Sequence, residues 1–219
     1  MKAISPETLL IASLAIALVP LLIGVGTCYL KFTIVLSLLR SGFGTQQAPS
    51  TSLVMALSLI MSLVVMQPVL TGTMERLAGV KIEQLAAQPL AGLMERGRDI
   101  ITPWREFLLK HSGERELAIF KRLANGKAEG DEAQVDNQEP GLVTIVAAFT
   151  LSEIKKGFTI AFFLLIPFFV IDLIVANILV GMGLTMMSPV IVSLPLKLLL
   201  FVSSDGWLLL AQSLIRAYQ

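Results

Sequence analysis

Residues 143–217 read VTIVAAFTLSEIKKGFTIAFFLLIPFFVIDLIVANILVGMGLTMMSPVIVSLPLKLLLFVSSDGWLLLAQSLIRA. This last third sets the class of the whole chain. Two apolar spans lie in it, at about 157–184 and 190–215. Each is longer than the roughly 20 residues that a bilayer core requires. The short turn 185–189, bearing Met, Thr, Ser and Pro, joins them. Charges interrupt both spans: Asp172 in the first, Lys197 and Asp205 in the second. On insertion scales an Asp or Lys at a helix centre costs roughly 2.5–3.5 kcal/mol. Three such groups facing lipid would cost on the order of 8–10 kcal/mol, as much as a domain's whole stability. The three charges are therefore expected to face protein or water.

Composition agrees. The chain has 219 residues, 55% apolar and 15% charged, with a mean hydropathy of +0.79. Soluble domains run at about 45–50% apolar and about 25% charged. A net charge of +1 gives no basic surface for nucleic acid. The single cysteine, Cys28, lies in an apolar run. It allows no disulfide within the chain and no thiolate metal site, and reads as a small packed apolar residue.

The order along the chain predicts an all-α integral membrane protein. Two long helical hairpins, residues 1–74 and 143–219, flank a hydrophilic helical region at 75–142. Residues 9–30 are uncharged and broken only by Pro20, Gly24 and Gly26. The run is too long for an ordinary signal-peptide core and lacks a small-x-small cleavage site before Lys31. It reads as a retained spanning helix, kinked near Pro20. Lys31 and Arg40 bracket FTIVLSLL, then SGFGTQQAPS makes a turn by composition. Lys31 and Arg40 point to opposite faces of a helix, which argues against one shared site. Residues 52–70 form a second uncharged span.

Residues 75–139 differ in kind, with ten Lys/Arg and twelve Asp/Glu, 22 of the chain's 33 formal charges. Leu85, Leu90, Leu93, Ile100, Ile101, Trp104, Phe107 and Leu108 recur at helical spacing, and ERELAIFKRL at 114–123 repeats the pattern. Two or three amphipathic helices follow, with a break near Pro103 or Gly113. The acidic stretch at about 126–141 reads as a mobile loop. The sole histidine, His111, lies here beside Lys110, so it reads as a surface side chain rather than a ligand.

The charged positions admit two readings each. Glu153 and Lys156 are i,i+3 neighbours, which suits a local ion pair. With Lys155 they could instead form an inter-subunit contact or a charged ring at a pore entrance. Lys197 and Asp205, eight residues apart, would lie about 80° apart on one continuous helix and share a broad face. With Asp172 they form either buried pairs holding helices in register or a proton relay; Asp205-Gly206-Trp207 also reads as a helix break with Trp207 at an interface. No nucleophile–base set, nucleotide loop or metal-ligand cluster is present, because the one histidine is isolated and Gly24-x-Gly26 lacks the rest of a phosphate fingerprint. A two-aspartate protease would need flanking glycines that Asp172 lacks. The chain reads as no enzyme, with no cofactor and no metal.

Specific residues carry a family resemblance. They are Ser152-Glu153-Ile154-Lys155, Pro167-Phe168-Phe169, Ile171-Asp172-Leu173, Leu194-Pro195-Leu196-Lys197 and Asp205-Gly206-Trp207, with the Met-rich turn into Pro189. Upstream lie LKFTIVLSLLRSGFGTQQAPS at 30–50, VMQP at 65–68 and WREFLLKHSGERELAIF at 104–120. In this order they resemble the FliP/SctR family, membrane subunits of the type III export apparatus of flagella and injectisomes. The resemblance implies a homo-oligomer of five copies with two smaller membrane subunits, FliQ/SctS-like and FliR/SctT-like. Together these enclose the gated channel through which unfolded proteins leave the cytoplasm. It also implies a bacterial inner-membrane location with the hydrophilic region periplasmic. Counting Lys155, Lys156, Arg76 and Arg216 by the positive-inside rule argues the other way, although that rule is weak for a long, charge-balanced loop.

Methionine has three flexible torsions and a polarizable sulfur, so a cluster of it closes softly around changing shapes. Met182, Leu184, Met186 and Met187, next to Gly181 and Gly183, are by resemblance the gasket at the pore constriction. Flagellar members often carry three successive methionines where this chain has Leu184, Thr185 and Met186. That difference and the short N-terminus favour an injectisome. An ion- or proton-coupled transporter using Asp172, Lys197 and Asp205 is the alternative. It would work alone or as a small homo-oligomer.

Overall fold

The computed structural model describes residues 13, 17, 23–45, 49–79, 90–126 and 139–219. The expected kink at Pro20, Leu85 and most of the acidic stretch lie outside these residues. The described elements are all helical: α1 (Tyr29–Gly42), α2 (Thr51–Ala78), α3 (Leu90–His111), α4 (Glu114–Ala124), α5 (Leu142–Gly181), α6 (Pro189–Ser203) and α7 (Gly206–Arg216). Helices α2 and α5, 28 and 40 residues long, are long and apolar enough to cross a membrane. The pair α6 and α7 qualifies only if taken as one span, and it is bent by 62°. The chain divides into two compact units, residues 1–29 with 69–150 and residues 30–68 with 151–219.

The first unit is held by aromatic packing and by backbone carbonyls met from side chains. The Trp104 indole N–H donates to the Gly26 carbonyl at 2.6 Å. Its ring carbons come within 2.6 Å of where a Gly26 Cβ would stand, so position 26 admits only glycine without a shift of the indole. Phe107 packs on Phe149 at 5.9 Å and on His111 at 4.7 Å. Leu108, Ile145, Ala148 and Phe149 are fully buried.

Helix α3 runs through Pro103 and breaks instead at Gly113. A proline inside a helix leaves the carbonyl of residue i−4 without its N–H partner. Here that carbonyl belongs to Asp99, and Arg76 Nη1 donates to it at 2.9 Å. The arginine thereby takes the place of the missing backbone donor. Helix α4 carries Glu114 and Glu116 in its first turn and Lys121 and Arg122 in its last, each sign complementing the helix dipole.

In the second unit, α1, residues 51–68 of α2, residues 151–181 of α5, and α6 with α7 surround a core of rings. Phe43 lies 4.9 Å from Phe168 and 5.3 Å from Phe201, and Phe201 meets Trp207 edge-on at 5.1 Å. Phe32, Val35 and Leu214 are also buried in this unit.

Of the two sequence readings of 190–215, one helix or a break at Asp205-Gly206-Trp207, the structure takes the break at Asp205. Its backbone is left-handed, φ 50 and ψ 42, and ends α6 while starting α7. An L-residue there costs roughly 1–2 kcal/mol, least for Asn and Asp. Gly206 is fixed by its neighbour, because ring carbons of Phe201 come within 2.4 Å of where its Cβ would stand.

Helix α5 ends in a Schellman motif. Leu184 N–H bonds to Leu179 O at 2.9 Å and Gly183 N–H to Val180 O at 3.0 Å. Gly183 takes φ 76, the left-handed C′ position where glycine meets no Cβ penalty. Pro189 then opens α6 at its first turn, where its missing N–H costs nothing.

Candidate functional site

Two charge networks sit on α5, about five turns apart. In the first, Glu153 is completely buried and its carboxylate gathers three donors. Lys31 Nζ stands 3.1 Å from Oε2, Lys156 Nζ 3.5 Å from Oε1, and the Tyr218 hydroxyl donates to Oε2. Lys31 is 1% exposed, and its ammonium lies 3.7 Å from the centre of the Tyr218 ring. Phe32 meets the same ring edge-on at 5.9 Å. The i,i+3 partner Lys156 is the outer, half-exposed member of the set. Gly157, next along α5, lies against Ile34 and the Lys31 backbone, so α1 approaches α5 closely where the lysine enters. Lys155 is exposed.

The second network joins α5 to α6. Lys197 Nζ lies 2.7 Å from Asp172 Oδ2 and donates also to the Gly42 carbonyl at 2.8 Å. Ser193, one helical turn before Lys197 and on the same face, donates to Asp172 Oδ1. The lysine side chain is 2% exposed and the aspartate side chain 30%. A charge buried this deeply is tolerated only when paired and hydrogen-bonded, and Lys197 has both a carboxylate and a carbonyl. Asp205 belongs to neither network. The break after Ser203 takes it off the helix that carries Lys197, so the expected shared face does not exist. Arg40 donates to the Thr51 hydroxyl at 2.7 Å, remote in role from Lys31.

Sequence reasoning missed Lys31, Ser193 and Tyr218 as members of these sets. Lys31 carried a usable signal, a lone cation inside an apolar run, which needs a partner. Ser193 and Tyr218 carried none. His111 is half-buried against Phe107 rather than open to solvent. Among the described residues, no group of three or more His, Cys, Asp or Glu could hold a metal ion.

The turn between α5 and α6 carries the opposite chemistry. Its backbone is pinned by the Schellman bonds, yet its side chains are bare. Met186 is 102% exposed, Met182 60%, Met187 49% and Leu184 44%. Among the described residues, none buries these four apolar side chains. The outer face of α5 continues this, with Phe158, Phe162, Phe163, Phe169 and Leu173 exposed.

Comparison with known proteins gives one answer. The FliP family matches residues 11–214. "Surface presentation of antigens protein SpaP" of Shigella flexneri is 38% identical over 215 residues, 95% of each chain. "Hypersensitivity response secretion protein HrcR" of Ralstonia nicotianae is 38% identical over 223 residues and covers both chains completely. "Yop proteins translocation protein R" of Yersinia pestis is 36% identical over 211 residues, 96% of this chain and 95% of its own. With its long apolar helices and this full-length similarity, the chain is a membrane protein that belongs to the FliP family.

Proposed function

We propose that this chain is a core subunit of a type III secretion export apparatus of the injectisome kind. Five copies, with two smaller membrane subunits, enclose a gated channel in the bacterial inner membrane, and unfolded proteins pass through it. The hydrophilic region lies on the periplasmic side. The secretion and translocation roles in the names of its full-length relatives support the system to which it is assigned.

The observation that carries the gate is the turn at 182–187. A rigid backbone presents Met182, Leu184, Met186 and Met187 bare, which in isolation exposes apolar surface at a cost of about 25 cal/mol per Å². Copies converging on an axis would bury those side chains on one another. The result is a dry plug that stops ions, while flexible thioethers part around a passing polypeptide. The two buried networks serve as rigid mounts: Glu153 with Lys31 locks α1 to α5, and Asp172 with Lys197 locks α5 to α6. Each holds the turn at a fixed height.

The test is the native mass of the detergent-extracted complex, expressed with and without the neighbouring membrane subunits. A defined multi-copy particle that incorporates them is expected. A stable monomer or dimer that ignores them would overturn the reading.

A further inference from the structure

Helices α6 and α7 are both apolar, yet they meet at 62°. The joint is Asp205, the one non-glycine residue with positive φ among those described. Its side chain makes no capping bond to α7, so the aspartate gains nothing local in return for its left-handed backbone. The bend is supported from two places. On the inside, Gly206 lies under the Phe201 ring and Phe201 packs on Trp207. Beyond the far end of α7, Tyr218 is 7% exposed, with its hydroxyl on Glu153 and its ring between Lys31 and Phe32.

We propose that Tyr218 is the catch of a two-position joint. While its hydroxyl sits on Glu153, α7 is held off the axis of α6. When that bond is lost, the pair straightens at Asp205 toward one continuous helix.

Three observations carry this. Straightening returns Asp205 to the right-handed conformation that an L-residue prefers. A continuous helix over 189–216 would be about 40 Å long, enough to cross a hydrocarbon core of about 30 Å. Most telling is the chemistry of the catch. Glu153 keeps Lys31 at 3.1 Å and Lys156 at 3.5 Å when the tyrosine leaves, so release strands no buried charge. It breaks the hydroxyl's bond to Glu153 and the ring contacts with Lys31 and Phe32. A bistable element of this kind responds to whatever binds one position better. The inference does not depend on the channel reading, and its test reads the conformation of the chain directly.

The experiment is a distance measurement on the full chain in lipid nanodiscs. Spin labels are placed on I191C and R216C, both exposed positions, in a C28S background. The native joint is expected to give one short separation. In Y218F the major population should lengthen by about 5 Å, the geometric consequence of removing the bend. Adding D205G should return the short separation, because glycine removes the backbone's preference for the straight form. Circular dichroism confirms helix content throughout. If Y218F and Y218L both keep the native distance, the proposal fails. It fails equally if a lengthened Y218F population does not respond to D205G. Should Y218L lose its helical signal, Y218F alone decides.

Discussion

Both units of this protein carry ion pairs, but they keep them in opposite places. In the first, Arg76 pairs with Asp99 at 2.5 Å and Arg105 with Glu139 at 3.0 Å, with side-chain exposures of 37% and 69%, 28% and 84%. In the second, Lys31 and Glu153 are 2% and 0% exposed and Lys197 is 2% exposed. Exposed pairs gain little, about 0–1 kcal/mol, because water screens them and long side chains lose freedom. Buried pairs are also poor sources of net stability, since desolvation offsets the attraction. What they impose is intolerance: remove one partner and the other is left charged in a dry place. The first unit is thus held by its rings and capped carbonyls, with charges as trim. The second has its helices fixed in register by charges that cannot be moved singly.

The sharpest way to break this contrast is Lys197→Met. Asp172, 30% exposed and still bonded to Ser193, would lose its ammonium and the Gly42 carbonyl its donor, at a cost of about 3 kcal/mol. Chemical unfolding, or the yield of folded protein from membranes, would read it. The paired variant K197M/D172L should recover most of the loss, and a failure to recover would mean that the charges do more than satisfy each other.

Next comes Glu153→Leu, which strands Lys31 and the Tyr218 hydroxyl. A loss of about 3 kcal/mol is expected, with Lys31→Met in the same chain restoring part of it. Gly206→Ala follows, at about 1–3 kcal/mol from overpacking against Phe201. F201L should relieve it, because the clash is with the ring and not with backbone.

In the first unit the same operation should be mild. Arg105→Ala is expected to cost under about 1 kcal/mol. Arg76→Ala should cost about 1 kcal/mol, more than Arg105, because its 2.9 Å bond serves the Asp99 carbonyl that Pro103 leaves without a backbone donor, whereas Arg105 reaches the Pro140 carbonyl only at 3.4 Å. Equal losses at the two arginines would remove the capping role assigned to Arg76. Smallest in stability is M186A/M187A, which tests the proposed seal. Unfolding should be unchanged while ion leakage through the assembled complex rises. A leak-free double variant would overturn the proposed seal at this turn.

Much of this was legible beforehand, for physical reasons that differ from residue to residue. Apolar runs of spanning length, the breakers at Gly113 and Pro189, and the four-residue apolar turn are local properties, and local properties are written in order along the chain. The cost of burying Asp172 and Lys197 was also local, so their need for partners was visible. Which partners they take was not, because the choice depends on which faces meet. Lys31 and Glu153 are separated by 122 positions, and nothing in either neighbourhood encodes the other.

The sequence by itself determined an all-helical membrane chain, the apolar runs that become α2 and α5, the methionine-bearing turn and the rule that intramembrane charges must be satisfied. Hydrophobic transfer and helix geometry act over a few residues, so composition and spacing suffice for these. Only the tertiary structure decided that Glu153 draws in Lys31 and Tyr218 and that Lys197 reaches both Asp172 and the end of α1. It also decided between a continuous last span and the break at Asp205, in favour of the break. Each of these turns on close approach between segments distant in the chain. There, a ring seated over Gly206 or a hydroxyl placed on a carboxylate outweighs the local preference for an unbroken helix.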